Sequence, residues 1–230
     1  DNKVILGCMN RGGLGGTVFE MDDRMTGYTA KGIKEMRLDA AKIMFRIETN
    51  EKESGVTIGY CADVMNTLND LNIPVFVEAL PVKKEGGKYK STKSVEPLVQ
   101  VVGVGSGLGY SSLNTWLKIP YCDNFDRVAA ATTCPILLLG GEATGDPTDI
   151  LKQFSEGMKA GKNVRGALVG RNVTYPGKDD PLAVASAVNG IVHRGFTVEQ
   201  AVKHITETRG RNINLISRLF SNEKRSSRRR

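Results

Sequence analysis

Histidine is nearly absent from this 230-residue chain, with His193 and His204 the only two. The four cysteines (Cys8, Cys61, Cys122 and Cys134) form no C-x-x-C pair and have no histidine nearby. These shortages argue against a Cys/His zinc site, and no metal or other cofactor is expected. No apolar run approaches the ~18–20 residues that a membrane-spanning helix needs, so no membrane partner is expected. Asp1-Asn2-Lys3-Val4 is followed by a short apolar run and a glycine loop, which does not read as a signal peptide. Unpaired cysteines point to a reducing compartment, and a cytoplasmic protein is the expectation.

Aromatic residues are also sparse, at 6%, and none follows Phe220. That matters for the basic C-terminus. Ser221–Arg230 holds five Lys or Arg against one Glu and so carries four of the seven net positive charges. A basic segment without base-stacking aromatics is a weak nucleic-acid binder, and residues 219–230 read as a disordered tail. The rest, residues 1–218, has the composition of one globular domain, with 40% hydrophobic and 25% charged residues in the whole chain. Oligomeric state is left open, a homo-oligomer included.

Short apolar runs alternate with helical stretches. Val4–Met9, Ala41–Ile47, Pro74–Leu80, Thr115–Pro120, Pro135–Leu139 and Val164–Val169 read as six strands. Helices are expected over Thr57–Leu71, Val95–Gly105, Asn124–Thr132, Pro147–Ala160, Pro181–His193 and Thr197–Arg209. Val82–Lys93 reads as a polar excursion with a turn at Gly86-Gly87. This alternation indicates parallel β/α units with both sheet faces covered. Two architectures fit: a TIM-type (β/α)8 barrel and an open doubly wound sheet. No G-x-G-x-x-G follows the first strand, which disfavours the second. A closed barrel takes about 250 residues and eight strands, two more than are counted here.

Barrel chemistry sits at the C-terminal ends of strands. Lys118 lies inside an apolar strand, where burial favours the neutral, nucleophilic amine of an imine-forming lysine. The alternative is a strand-end lysine reaching solvent. Lys42 and Arg46 are four apart and share a strand face, either lining an anion site or lying on the surface. Glu78 ends an apolar strand as a candidate acid/base, or as the ion-pair partner of Lys42 or Lys118. Gly140, Gly141, Gly170 and Arg171 follow the last two strands, where glycine backbone and arginine can hold a phosphate. Asn10 and Arg11 open the long glycine-rich loop after the first strand and are further substrate-binding candidates. Asp22 and Asp23 lack a third ligand for a metal and are expected to pair with Arg11 or Arg24. Cys8 and Cys134 read as small buried residues at strand borders. The sequon Asn172-Val173-Thr174 reads as incidental.

Gly7-Cys8-Met9-Asn10-Arg11-Gly12-Gly13-Leu14, the run Phe19–Tyr28, Gly107-Leu108-Gly109, Thr115–Pro120 and Leu137–Gly141 resemble the Cgl0159 family of aldolase-like (β/α)8 barrels, the DUF2090-type barrels. The resemblance covers residues from about 3 to about 195. Its wider kin are class I aldolases such as tagatose-bisphosphate aldolase. It implies an imine-forming Lys118, a second lysine at Lys42, a strand-end acid at Glu78 and phosphate loops at Gly140, Gly141, Gly170 and Arg171. It also implies that the chain starts at the third strand, with the first two units and their acidic residue missing, and that such a chain is not a competent aldolase alone. The implied activity is carbon–carbon cleavage of a sugar phosphate or keto-acid phosphate. Some relatives are joined to 5-dehydro-2-deoxygluconokinase, which implies 5-dehydro-2-deoxygluconate 6-phosphate. The competing expectation is a non-catalytic barrel that binds or senses sugar phosphates.

Overall fold

The computed structural model describes residues 3–10 and 21–211; the tail at 219–230 lies outside them. The chain divides into two compact units, one taking in Asp1–Leu139 and Lys159–Gly166, the other Gly140–Met158 and Ala167–Arg230.

The first unit is built on parallel strands β1 (Leu6–Cys8), β2 (Ala40–Ile47), β3 (Val75–Glu85), β5 (Thr115–Pro120) and β6 (Ile136–Leu139). They are joined by α1 (Ala30–Glu35), α2 (Ser54–Asp70), α3 (Val95–Ser106) and α4 (Phe125–Ala130). β7 (Val164–Leu168) follows β6, and the sheet order is β1-β2-β3-β5-β6-β7. The strands follow one another in chain order and never reverse, which is a singly wound arrangement; a doubly wound sheet reverses at a switch point. Short β4 (Lys88–Ser91) stands off this path and pairs antiparallel with the end of β3. The polar excursion expected over Val82–Lys93 is therefore mostly a hairpin, turning at Gly86-Gly87 as expected.

Each central strand has two unlike faces. Ile43, Phe45, Val77, Ala79, Leu117, Ile119, Ile136 and Leu138 are all 0% exposed. These alternate positions pack under the helices, with α2 against β2 and α3 against β3 and β5. Cys61, Met65 and Leu68 of α2 and Leu98 and Val102 of α3 close that layer. Each large apolar side chain buried there contributes about 1.5–3 kcal/mol. Gly105 lets α3 lie close on the sheet: a Cβ there would touch Ala79 and Leu117 at 3.6 and 3.7 Å. The other face carries Lys42, Phe76, Glu78, Trp116 and Lys118 and is only partly covered.

The second unit contains α5 (Thr148–Gly157), α6 (Arg171–Thr174), α7 (Pro181–Arg194) and α8 (Val198–Thr208). Its helices are well delimited. Asp180 caps α7 with Pro181 at the first position, Gly195 ends it in the left-handed region, and Thr197 and Gln200 form a capping box on α8. Two short helices, α1 and α6, were not expected from the sequence; at six and four residues they are too short to show a period. Cys8 corrects another expectation. It is exposed, because it sits on the face of β1 turned away from the core, whereas Cys134 is buried as expected.

Candidate active site

Register brings the charged residues of three strands together. Met44 of β2 is level with Glu78 of β3, and Glu78 is level with Lys118 of β5. Residues level in a parallel sheet point to one side, and Lys42, two before Met44, shares that side. The Lys42 Nζ lies 2.8 Å from Glu78 Oε2, and the Lys118 Nζ lies 3.0 Å from Glu78 Oε1. Each carboxylate oxygen is thus held by its own ammonium. The three side chains are 18%, 12% and 19% exposed in the order Lys42, Glu78, Lys118, so a ligand can reach them while bulk water is largely kept off. The lysine readings are resolved as geometry: neither is a lone surface charge.

Burial by itself pushes the Glu78 carboxyl up, but Lys42 and then Lys118 outweigh it and hold it below its ordinary value of 4.5. A depressed acid stabilises the fold at pH above its unfolded value, and that contribution is lost as pH falls through the folded value. Glu78→Gln should therefore flatten the acid limb of the stability profile below about pH 4.5, read by urea melts at successive pH values. An unchanged acid limb would mean that the carboxylate is not held by the two lysines.

Beneath this row, Phe76 and Trp116 are level with each other and stack with ring centroids 5.6 Å apart. They form an aromatic layer two residues below Glu78 and Lys118. Sequence reading passed over them. The signal was present in the spacing: Phe76-x-Glu78 and Trp116-x-Lys118 each place the aromatic on the face of its charged neighbour.

Arg46 lies further along the same face of β2, but a carboxylate closes over it. Its Nη2 donates to Asp23 Oδ1 at 2.8 Å, its Nε contacts both oxygens at 3.1 and 3.3 Å, and its backbone N–H donates to Oδ2 at 2.8 Å. The Asp23 side chain is 0% exposed and that of Arg46 is 10% exposed. Asp23 therefore pairs with Arg46 rather than with Arg24, while Asp22 pairs with Arg24 as expected. The structure sets Arg46 against an internal anion.

Asn10 is likewise turned inward. Its Oδ1 accepts from the Met44 N–H at 2.7 Å, and its Nδ2 donates to the Met44 carbonyl at 2.7 Å and the Asp23 carbonyl at 3.0 Å. The carboxamide imitates one more peptide of β1 alongside β2. This is a clamp on the segment that carries Asp23, a different role from the substrate contact anticipated. Arg11 lies outside the described residues.

In the second unit, the Asn172 Nδ2 donates to the Gly140 carbonyl, so the Gly140-Gly141 and Gly170-Arg171 loops are tied together. Asn172 is 5% exposed, which suits a structural carboxamide better than a glycan acceptor. Gly141 has φ 71, a backbone that itself calls for glycine. Arg171 is exposed and lies 3.6 Å from the exposed Glu142.

The profile of the Cgl0159-like family matches residues 1–192. The chain belongs to the Cgl0159-like family. A crystal structure of Cgl0159 from Corynebacterium glutamicum superposes on this Cgl0159-like chain with a TM-score of 0.79 and 34% identity, over 85% of this chain and 65% of that one. An uncharacterised aldolase of Saccharolobus solfataricus is 28% identical over 157 residues, 67% of this chain and 54% of that protein. An archaeal fructose-1,6-bisphosphate aldolase, solved with its catalytic lysine bound to a carbinolamine intermediate, shares the fold at a TM-score of 0.62 and 21% identity, over 80% of this chain and 69% of that one. The Cgl0159-like chain thus spans 54% to 69% of the lengths of these three proteins. It has the α/β fold of the TIM-barrel aldolases, represented here by six parallel strands. Among the described residues, no helix is long and apolar enough to cross a membrane.

Proposed function

We propose that this chain carries the imine-forming site of a class I aldolase, with Lys118 as nucleophile, Glu78 as proton carrier and Lys42 as the cation that positions Glu78. The observation that supports it is the double grip on Glu78, with Lys118 at 3.0 Å and Lys42 at 2.8 Å on separate oxygens. Glu78 takes a proton from the Lys118 ammonium, and the freed amine attacks the ketone carbon of the substrate. The proton returns to the carbinolamine oxygen, which leaves as water, and an iminium remains. Glu78 then takes the proton of the hydroxyl on the carbon β to the iminium carbon. The bond between the α and β carbons breaks, its electron pair flows into the iminium to give an enamine, and the β carbon departs as an aldehyde. The enamine left behind is protonated at carbon, and water releases the second product and restores the amine. A carboxylate held ionised by two cations suits the first step.

The substrate class is a phosphorylated ketose or keto-acid sugar. 5-Dehydro-2-deoxygluconate 6-phosphate is the specific candidate, yielding dihydroxyacetone phosphate and malonate semialdehyde. Gly140, Gly141, Gly170 and Arg171 are proposed as an anion contact of the second unit. Borohydride reduction in the presence of dihydroxyacetone phosphate, followed by peptide mass mapping, tests the chemistry. A reduced adduct is expected on the peptide that holds Lys118. Protein recovered without an adduct would overturn the imine mechanism.

A further inference from the structure

A groove of about 300 Å³ runs behind the ends of β2 and β3, between the Glu48–Asn50 loop and the start of α3. Ile47 of its lining continues the fully buried series Ile43 and Phe45, and Val101 of α3 forms part of the opposite wall. The groove therefore lies on the helix side of the sheet, away from the face that carries Lys42, Glu78 and Lys118. Its volume is at the lower end for small-ligand sites.

Its polar lining is of two kinds. Thr49, Asn50, Thr92 and Gln100 bring hydroxyl and carboxamide groups, which both donate and accept. Lys83 brings a cation, and Glu48 is the one carboxylate in the lining. Glu48 is turned to its own loop, with Oε1 3.3 Å from both the Asn50 backbone N and its Nδ2. The walls are fixed. Ser54 Oγ donates to the Glu48 carbonyl at 2.6 Å and accepts from the Glu48 N–H at 3.0 Å, and the Thr92 N–H donates to the Pro81 carbonyl at 3.0 Å.

The β3–β4 hairpin gives Lys83 an unusual setting. Register places it directly opposite Lys90, and like charges facing each other across an antiparallel pair are destabilising. Lys90 has Glu85 at 3.3 Å, and Lys84 lies over the Tyr89 ring at 5.4 Å. No described residue forms an ion pair with Lys83. A bound anion at the rim would relieve the repulsion and supply the missing partner.

We propose that this groove is a second small-molecule site, for a phosphorylated polyol: the phosphate on Lys83 at the hairpin rim, and the hydroxylated body along Thr49, Asn50, Thr92 and Gln100. The site does not depend on imine chemistry, so the probe is sorbitol 6-phosphate, which has no carbonyl. Calorimetric titration of the full chain should show saturable binding. Lys83→Gln, an exposed substitution, should weaken it at least tenfold, and Lys118→Ala should leave it unchanged. Sorbitol and inorganic phosphate should each bind more weakly than the phosphorylated polyol. The proposal is overturned by the absence of binding, by equal binding to Lys83→Gln, or by loss of binding in Lys118→Ala. Inorganic phosphate binding as tightly as sorbitol 6-phosphate would also overturn it. None of these outcomes bears on whether Lys118 forms an imine.

Discussion

Lys118→Ala is expected to abolish the borohydride-trappable adduct and to lower any carbon–carbon cleavage by a factor on the order of 10⁵–10⁶, the scale for removing a covalent nucleophile. The fold should survive, because Glu78 keeps Lys42 on its other oxygen at 2.8 Å and is not left as an unpaired buried charge. Circular dichroism and a urea melt alongside the rate measurement separate the two effects. Glu78→Gln should cost less, about 10²–10⁴ in rate, because it removes a proton carrier and leaves the nucleophile in place. If Lys118→Ala retains turnover of a ketose phosphate, the assignment of the nucleophile is wrong.

The largest stability loss should follow Asp23→Ala. Arg46 lies in a nearly closed site, with its guanidinium and its backbone N–H both donating to the Asp23 carboxylate. Removing one member of a buried ion pair strands the other, which costs about 3–5 kcal/mol. Asp23→Asn keeps an acceptor for the Arg46 N–H and should lose less. The damage should start in the strap around Asp23. Thr57 Oγ1 holds the Met21 carbonyl at 2.8 Å, Asn10 holds the Asp23 carbonyl at 3.0 Å, and the Thr26 and Gly27 N–H groups reach the Met9 carbonyl at 3.1 and 2.8 Å. Hydrogen exchange should therefore show residues 21–27 opening before the central strands. A melt of Asp23→Ala that overlays the parent would remove the pair from the list of what holds this chain together.

What could be read in the sequence follows a physical line. Thr115–Pro120 is recovered with both ends correct, because apolar residues flanked by turn signals mark a buried strand. Lys118 and Glu78 are visible as charges that interrupt such strands. The hairpin at Val82–Ser91 is not visible as strand, because four of its ten residues are lysines, only Val82 is buried, and no apolar alternation marks it. The partner of Asp23 is missed for another reason. Arg24 and Arg11 are nearer along the chain than Arg46, and sequence distance says nothing about which cation a folded strand brings over a buried carboxylate. Asn10 looks like a ligand group because glycines follow it. Only the register of β1 against β2 reveals it as a replacement peptide.

The two unlike faces of β2, β3 and β5 bear on how such a protein can change over generations. Positions 43, 45, 77, 79, 117 and 119 hold up the molecule and tolerate little beyond swaps of equal volume. Positions 44, 76, 80 and 116 alternate with them, on the face of the reactive row, without supporting the helix layer. Variation in the second set is shielded from the stability toll that core mutations incur. A saturation library confined to those four positions should therefore yield mostly folded proteins, and should explore new substrates far more efficiently than random mutagenesis of the whole gene.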